Sequence, residues 1–378
     1  MLGARRPLCP TELSSLTKAP DGPAWTSAPA AAERLRGPFG DLICLGGVNP
    51  PGIKVLPGGK TLGRRKSAGA WRKEAFMPNG IIVIDKPVGW TSMDVCAKLR
   101  GVLREKRVGH AGTLDPMATG VLPVFVGRAT RAVEFASEGG KEYVAGLRLG
   151  VVTDTQDTTG NVQEERPVRV TREELEAALD RFRGEILQVP PMYSAVKIGG
   201  KKLYELARKG KEVERKARSV TIYELELLEG TEERPAGAGG DGCADWKLRV
   251  KCSKGTYVRT LCHDIGQALG CGGCMSALRR TEAAGFTLAQ ALTLEEVVAA
   301  GERGGAESLL LPVDAYFARY PELRVGGGAE KKLRNGMAVP APCGDGTFRV
   351  YGEGGAFLGL GGAKDGSLRF IKSFFEVS

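Results

Sequence analysis

The chain is short of several things, and each shortage excludes a class. It has 378 residues but only two histidines, His110 and His263. No stretch free of charged residues exceeds the fourteen from Ile265 to Leu278, too short and too glycine-rich to span a membrane. No apolar segment follows the first arginines, so a secretory signal is not expected. Nine scattered cysteines make no small-domain disulfide framework and read as reduced, cytosolic thiols. Cys271 and Cys274 have metal-like spacing, but only Cys262 and His263 stand near enough in sequence to complete a set. No thioredoxin-like strand and helix flank the pair, so neither a metal nor a redox centre is expected.

What is present is ordinary for a globular chain: 42% hydrophobic and 26% charged residues. The formal charge of +10 invites a nucleic-acid reading. Its distribution narrows that reading. Residues 1–76 carry 12 Lys and Arg against 5 Asp and Glu, so the remaining 302 residues are nearly balanced, 42 against 39. Contact with a polyanion by the main body must therefore come from local clusters.

Residues 1–76 are rich in Pro, Gly, Ala and Ser, show no sustained period, and read as a disordered leader. The texture changes at Met77. Lys73-Glu74 codons can spell a ribosome-binding sequence two codons upstream of it, so Met77 is expected to be the true start. From there strands and helices interleave. Gly80–Asp85 is an apolar run of strand length. Capping boxes begin at Thr91, Thr171 and Thr293. Tyr143–Leu149 alternates, and Trp246–Cys252 alternates with Lys247, Arg249 and Lys251 on a basic, solvated face. Without a strict βαβ repeat, this predicts an α+β fold with a large mixed sheet flanked by helices. From about Leu311 short strands separated by Gly-rich turns predict a small appended β-domain. The expected division is a leader at 1–76, a main domain at 77–310 and a small domain at 311–378.

Four stretches carry candidate chemistry. Gly109–Gly120 reads GHAGTLDPMATG. Asp before Pro commonly just starts a turn. Here glycines allow a ligand close to the backbone, and Pro116 stiffens the chain directly after Asp115. A rigid loop presenting one carboxylate suits nucleophilic catalysis. Arg259, where a strand hands over to a helix, is either a surface arginine or the partner that keeps a desolvated Asp115 ionised. Tyr143 is either core or a stacking residue. Residues 189–209 interleave bases with Tyr193 and Tyr204, which suits phosphate contact and stacking better than a solvated helix alone.

Six segments occur in one register: GIIVIDKPVGWTS, GHAGTLDPMATGVLPVFVGRATR, KEYVAGLRLG, VPPMYSAVKIGGKKLYELAR, CSKGTYVRTLCHDIG and LRRTEAAGF. Together they closely resemble the TruB-type tRNA pseudouridine synthases over residues 77–300, and the tail resembles that family's small PUA-related domain. The resemblance implies a pseudouridine synthase catalytic fold with a PUA-like C-terminal domain. It implies isomerisation of a uridine at position 55 in the T-arm of tRNA, with no metal or organic cofactor. Asp115 takes the place of the catalytic acid, Tyr143 of the active-site tyrosine and Arg259 of the arginine paired with the acid. His110 falls on the histidine that contacts the T-loop, Leu278 on an apolar residue of the base pocket, and Lys86 with Pro87 on the first motif. The RNA-clamping insertion matches about residues 189–218. RNA contact is expected from Tyr193, Lys197, Lys201, Lys202 and Arg208.

Sugar attack at C1′, base attack at C6 and elimination to a glycal all remain open for Asp115. A non-catalytic RNA-folding helper would use the same scaffold, and the intact Asp115, Tyr143 and Arg259 set argues for an enzyme. The RNA-guided branch is disfavoured by the insertion, which belongs to the stand-alone type. A zinc deaminase needs His-x-Glu and Pro-Cys-x-x-Cys, whereas Ala-Gly follows His110 and Gly precedes Cys271. A cytoplasmic monomer, without membrane or obligate protein partner, completes the expectation. Peptide mapping of the native protein tests the Met77 start: no peptide from within residues 1–70 should appear, and one such peptide contradicts it.

Overall fold

The structure, a computed structural model, describes residues 78–228 and 242–375; the expected leader and Met77 lie outside the described residues. The apolar run opens strand β1, Gly80–Lys86. Helix α1, Ser92–Leu103, starts at the Thr91 box, where the Thr91 hydroxyl accepts from the Asp94 amide and Asp94 returns to the Thr91 amide. Val95, Cys96, Leu99 and Leu103 form its buried stripe. Strands β2, Val108–His110, and β3, Thr119–Val126, flank the glycine-rich loop. Helix α2, Val133–Glu138, leads into β4, Lys141–Leu149, whose Tyr143, Ala145, Leu147 and Leu149 face the core as the alternation predicts.

A hairpin of β5, Val151–Thr153, and β6, Val162–Glu165, precedes α3, Arg172–Leu179, capped by Thr171 and Glu174. Then β7, Gly184–Gln188, leads into the expected insertion at about 189–218. It contains a two-strand hairpin, β8 at Lys197–Ile198 and β9 at Lys201–Lys202, and the single-turn α4, Leu203–Ala207. Strands β10, Arg218–Leu227, and β11, Ala244–Cys252, return to the main sheet. Helix α5, Val258–Ala268, is followed by β12, Gly273–Ala283, and the short β13, Phe286–Thr287. Helix α6, Leu294–Glu302, ends the main body.

The main sheet runs β1-β3-β12-β4-β11-β10-β7, with β2 paired to β3 and β13 to β12. All pairings are antiparallel except β3 with β12. That mixed nine-stranded sheet with its flanking helices is the expected α+β architecture. One expectation needs correction. The face of β11 carrying Lys247, Arg249 and Lys251 is not simply solvated and basic. Arg249 pairs with Glu142, Glu224 and Glu226, and Lys251 with Glu224, so cross-strand carboxylates neutralise it.

The tail forms a second sheet. Strands β14, Glu322–Arg324, β15, Val339–Pro340, β16, Gly346–Tyr351, β17, Phe357–Lys364, and β18, Ser367–Ser373, line up as β14-β16-β17-β18-β15, with α7, Gly327–Arg334, beside them. Its core centres on Val350, Leu358 and Leu368. Phe317, Leu360 and Phe374 also pack with Ile81, Phe125 and Phe286, so this sheet shares an apolar seam with the main body. Arg131 donates to Ser373 and Lys372 pairs with Glu134 at the edge of that seam.

The parallel junction of β3 and β12 is where the fold holds the glycine-rich loop. Gly120 has φ +101°, and a Cβ there would stand 2.2 Å from the Arg280 carbonyl oxygen. Both the backbone and the contact demand glycine. Gly120→Ala should therefore cost about 2–4 kcal/mol of unfolding free energy in urea titrations; an unchanged midpoint would contradict this junction.

Candidate active site

The loop between β2 and β3 is clamped on both sides of Asp115. The Ser92 hydroxyl, at the start of α1, accepts from the Leu114 amide at 2.9 Å and donates to the Leu114 carbonyl at 3.3 Å. The Pro116 carbonyl accepts from the Gly89 amide at 2.8 Å and from the Lys86 ammonium at 3.4 Å. The Ala118 amide closes a turn on the Asp115 carbonyl. Leu114 is buried, while the Asp115 side chain keeps 37% of its surface exposed. The bracing holds the Asp115 backbone while its carboxylate stays partly open, between the exposed Thr113 and Pro116.

Arg259, in the first turn of α5, meets that carboxylate. Its Nε lies 3.0 Å from Asp115 Oδ2, and its Nη2 reaches Oδ1 at 3.5 Å. The side chain is only 7% exposed. Its remaining donors reach the Thr155 carbonyl at 3.1 Å and the Tyr193 carbonyl at 2.9 Å. Asp157, also buried, stands 3.7 Å from Nε and is itself held by the Thr155 hydroxyl and the Thr159 amide and hydroxyl. One guanidinium thus ties together the catalytic-type loop, the 154–160 turn and the insertion. Gln188 fixes the start of α5 through both the amide and the carbonyl of Tyr257.

Tyr143 and Leu278 come from neighbouring strands. In the β4–β12 register Tyr143 faces Arg280 and Ala145 faces Leu278. The alternation puts Tyr143, Ala145, Leu278 and Arg280 on one face. Burial pushes the Tyr143 phenol up in pKa, opposed by the adjacent Arg280 charge, so it is a neutral donor at neutral pH. His110 ends β2. Its ring is buried, and burial together with Arg280 lowers its pKa against the opposing Gly112 backbone, so the ring is neutral at neutral pH.

Lys86 is fully buried at the end of β1, with its ammonium donating to the carbonyls of Pro87 and Trp90 as well as Pro116. Burial, with a smaller contribution from the Arg280 charge, lowers its pKa to about 8 against the pull of Asp115. The insertion residues are not gathered around the acid in the same way. Tyr193 contributes its backbone carbonyl to Arg259. Lys197, Lys201, Lys202 and Arg208 lie on the β8–β9 hairpin and α4, where Lys202 and Arg208 each sit 5.4 Å from the Tyr204 ring centroid.

Three participants escape the sequence reading. Ser92 is hidden inside a capping box, where a serine needs no second job. Asp157 lies in a polar turn, DTQDTTG, whose composition signals only a loop. Arg280 follows Leu278 by two on a strand, and that spacing is the signal that could have found it. Among the described residues no cluster of His, Cys, Asp or Glu is arranged to hold a metal. Cys262 and Cys274 are buried thiols whose pKa burial raises.

Residues 100–258 match the family model described as TruB family pseudouridylate synthase (N terminal domain). Residues 259–318 match the tRNA pseudouridylate synthase B C-terminal domain, and residues 321–369 match Pseudouridine synthase II TruB, C-terminal. The tRNA pseudouridine synthase B of Azoarcus sp. (strain BH72) is 46% identical over 292 residues, covering 77% of this chain and 93% of the relative. That of Clostridium kluyveri is 42% identical over 302 residues, covering 78% and 99%. The solved structure of a Cbf5-Nop10-Gar1 complex contains a chain of TM-score 0.58 and 29% identity, covering 78% of this chain and 85% of that one.

The buried Lys86 charge generates a prediction. Between about pH 8 and 10.5 the unfolded lysine holds its proton while the folded one has lost it. The unfolded state then binds more protons, so stability rises with pH across this window, and below it the cost of burying the charge is fully present. Wild type should gain on Lys86→Met as pH rises from about 8 toward 10.5 in parallel urea titrations; a pH-independent difference would contradict the burial.

Proposed function

This chain belongs to the TruB family of pseudouridylate synthases, and from that premise we propose how its residues perform the family's reaction. The protein is a tRNA pseudouridine synthase that isomerises uridine at position 55 in the T-arm. The proposal concerns the roles of side chains. Its supporting observation is a half-open Asp115 carboxylate held by a buried arginine.

The target base lies in a folded loop and must leave its stack, at a cost of a few kcal/mol. His110, neutral and beside the loop, occupies the vacated position or holds the extruded nucleotide. Asp115 then acts as the nucleophile while the C1′–N1 bond breaks, the base turns, and C5 joins C1′. The C5 proton leaves and N1 gains one. Atoms and electrons balance within the substrate, so the reaction calls for no external oxidant or reductant. Attack at C1′, attack at C6 and glycal formation share one requirement, an ionised and oriented Asp115, which Arg259 supplies. Tyr143 stacks on the base and its hydroxyl serves proton transfer. Leu278 closes the apolar side of a pocket from which detached uracil does not escape.

Tyr193, Lys197, Lys201, Lys202 and Arg208 make the insertion a clamp, with cations for phosphates and rings for bases. Residues 77–310 are the catalytic domain and 311–378 a PUA-like accessory domain. Among the described residues no helix is long and apolar enough to cross a membrane. The reading puts the enzyme in the cytoplasm, as a monomer acting on tRNA without an obligate protein partner.

The test is pseudouridine content at the T-loop of an unmodified tRNA transcript, with Asp115→Asn beside wild type. Wild type should convert, and the variant should fall by about 10⁴-fold or more while still binding. Binding should weaken with salt, with a slope set by the few phosphates touched. Binding without conversion by either protein would favour the RNA-folding role; equal conversion by both would remove Asp115 from the mechanism.

A further inference from the structure

Arg280 is a cation with no place to put its charge. It is 0% exposed and, among the described residues, makes no ion pair. Its Nε donates to the Val121 carbonyl at 2.7 Å and its Nη2 to the Gly112 carbonyl at 3.1 Å. Its Nη1 is buried without a well-formed hydrogen bond, and the guanidinium lies within hydrogen-bonding reach of the Tyr143 phenol. A guanidinium cannot shed its proton, so this is a permanent buried charge. Such a charge is costly unless something compensates it, and a donor left without a well-formed bond calls for a reason. Packing supplies none, because two backbone carbonyls do not require an arginine.

Its position supplies one. Arg280 lies opposite Tyr143 in the strand register and on the same face as Leu278. Its Nη1 lies directly beneath the Asp115 loop, 3.4 Å from where a Cβ on Gly112 would stand. Lys86, Lys141 and His110 all feel its positive charge. Asp115 and Asp157 share one cation, Arg259, and so offset only one of the remaining three, Lys86, Lys141 and Arg280. The surroundings of the Asp115 loop therefore carry more cations than anions before substrate arrives.

The reaction produces the missing anion. When C1′–N1 breaks, the bond pair leaves on N1 and spreads over the uracil carbonyl oxygens. It is consumed when C5 bonds to C1′ and the C5 proton departs. We propose that Arg280 is a positioning residue: it orients the Tyr143 hydroxyl toward the base and holds, beneath the pocket, the positive potential that the detached uracil needs. A preset charge in a site closed to water acts without reorganising during the reaction. This inference rests on the roles given above to Asp115 and Tyr143.

The experiment measures single-turnover pseudouridine formation on unmodified tRNA, and the tRNA Kd, for wild type, Asp115→Asn, Arg280→Lys and Arg280→Gln. Arg280→Gln should slow the rate by about 100-fold with Kd within about threefold. Arg280→Lys, which restores charge without the fork, should recover to within about tenfold of wild type. Retained Kd shows that the variants fold. Arg280→Lys as slow as Arg280→Gln, or a loss in Kd with the rate intact, overturns the proposal. An active wild type with an equally active Arg280→Gln overturns it alone. A wild type that converts nothing, or an Asp115→Asn that converts normally, overturns the underlying reading and this inference with it.

Discussion

The ion pair between Arg259 and Asp115 is the contact through which the rest of the site is organised. Its guanidinium joins three segments far apart in the chain: the loop after β2, the turn at 154–160 and the insertion at Tyr193. The loop and the turn have other anchors, Ser92 and Gly89 for one and a bridge from Asp157 to Met275 for the other, and the guanidinium joins them to each other. A single planar fork reaches both oxygens of a carboxylate and two carbonyls at once, a two-pronged grip that lysine's single nitrogen does not provide. The pair is asymmetric, with the arginine buried and the acid partly open. That asymmetry orients the carboxylate while leaving part of it open to solvent.

Around this pair the fold concentrates positive charge in a place from which water is largely removed. Lys86 and Arg280 are both fully buried, and each is held chiefly by backbone carbonyls. Neutral carbonyls satisfy donors without cancelling charge. The large apolar core, including Val95, Leu114, Leu122 and Trp246, offsets the cost of keeping two such cations. The arrangement suits a reaction whose fleeting negative charge is internal to the substrate. It also explains why the chain's net charge says so little about its chemistry: the cations that matter lie inside, next to one reactive carboxylate.

Much of this was legible in the sequence, and for reasons that differ by residue. The three threonine capping boxes and the alternation of β4 and β11 are local patterns, so they place elements directly. Asp115 stands out because glycine and proline surround it, and Arg259 because a helix begins there. Their meeting, across 144 residues, is tertiary and was an expectation until the strands were in register. Ser92, Asp157 and Arg280 were missed because each has an ordinary local explanation as a cap residue, a turn residue or a strand arginine. The β11 face was misread for a related cause. Its bases alternate as a solvated strand would, but the neutralising glutamates sit on β4 and β10, invisible to a pattern within one strand.

The most direct test of the account asks whether Arg259 and Asp115 act as one unit. Single-turnover rates on unmodified tRNA would be measured for wild type, Arg259→Lys, Asp115→Asn and the double variant. If the arginine works through the acid, adding Arg259→Lys to Asp115→Asn changes nothing further, and the two losses are far from additive. If the losses simply multiply, the two residues act independently, and the pair is not the centre of the site.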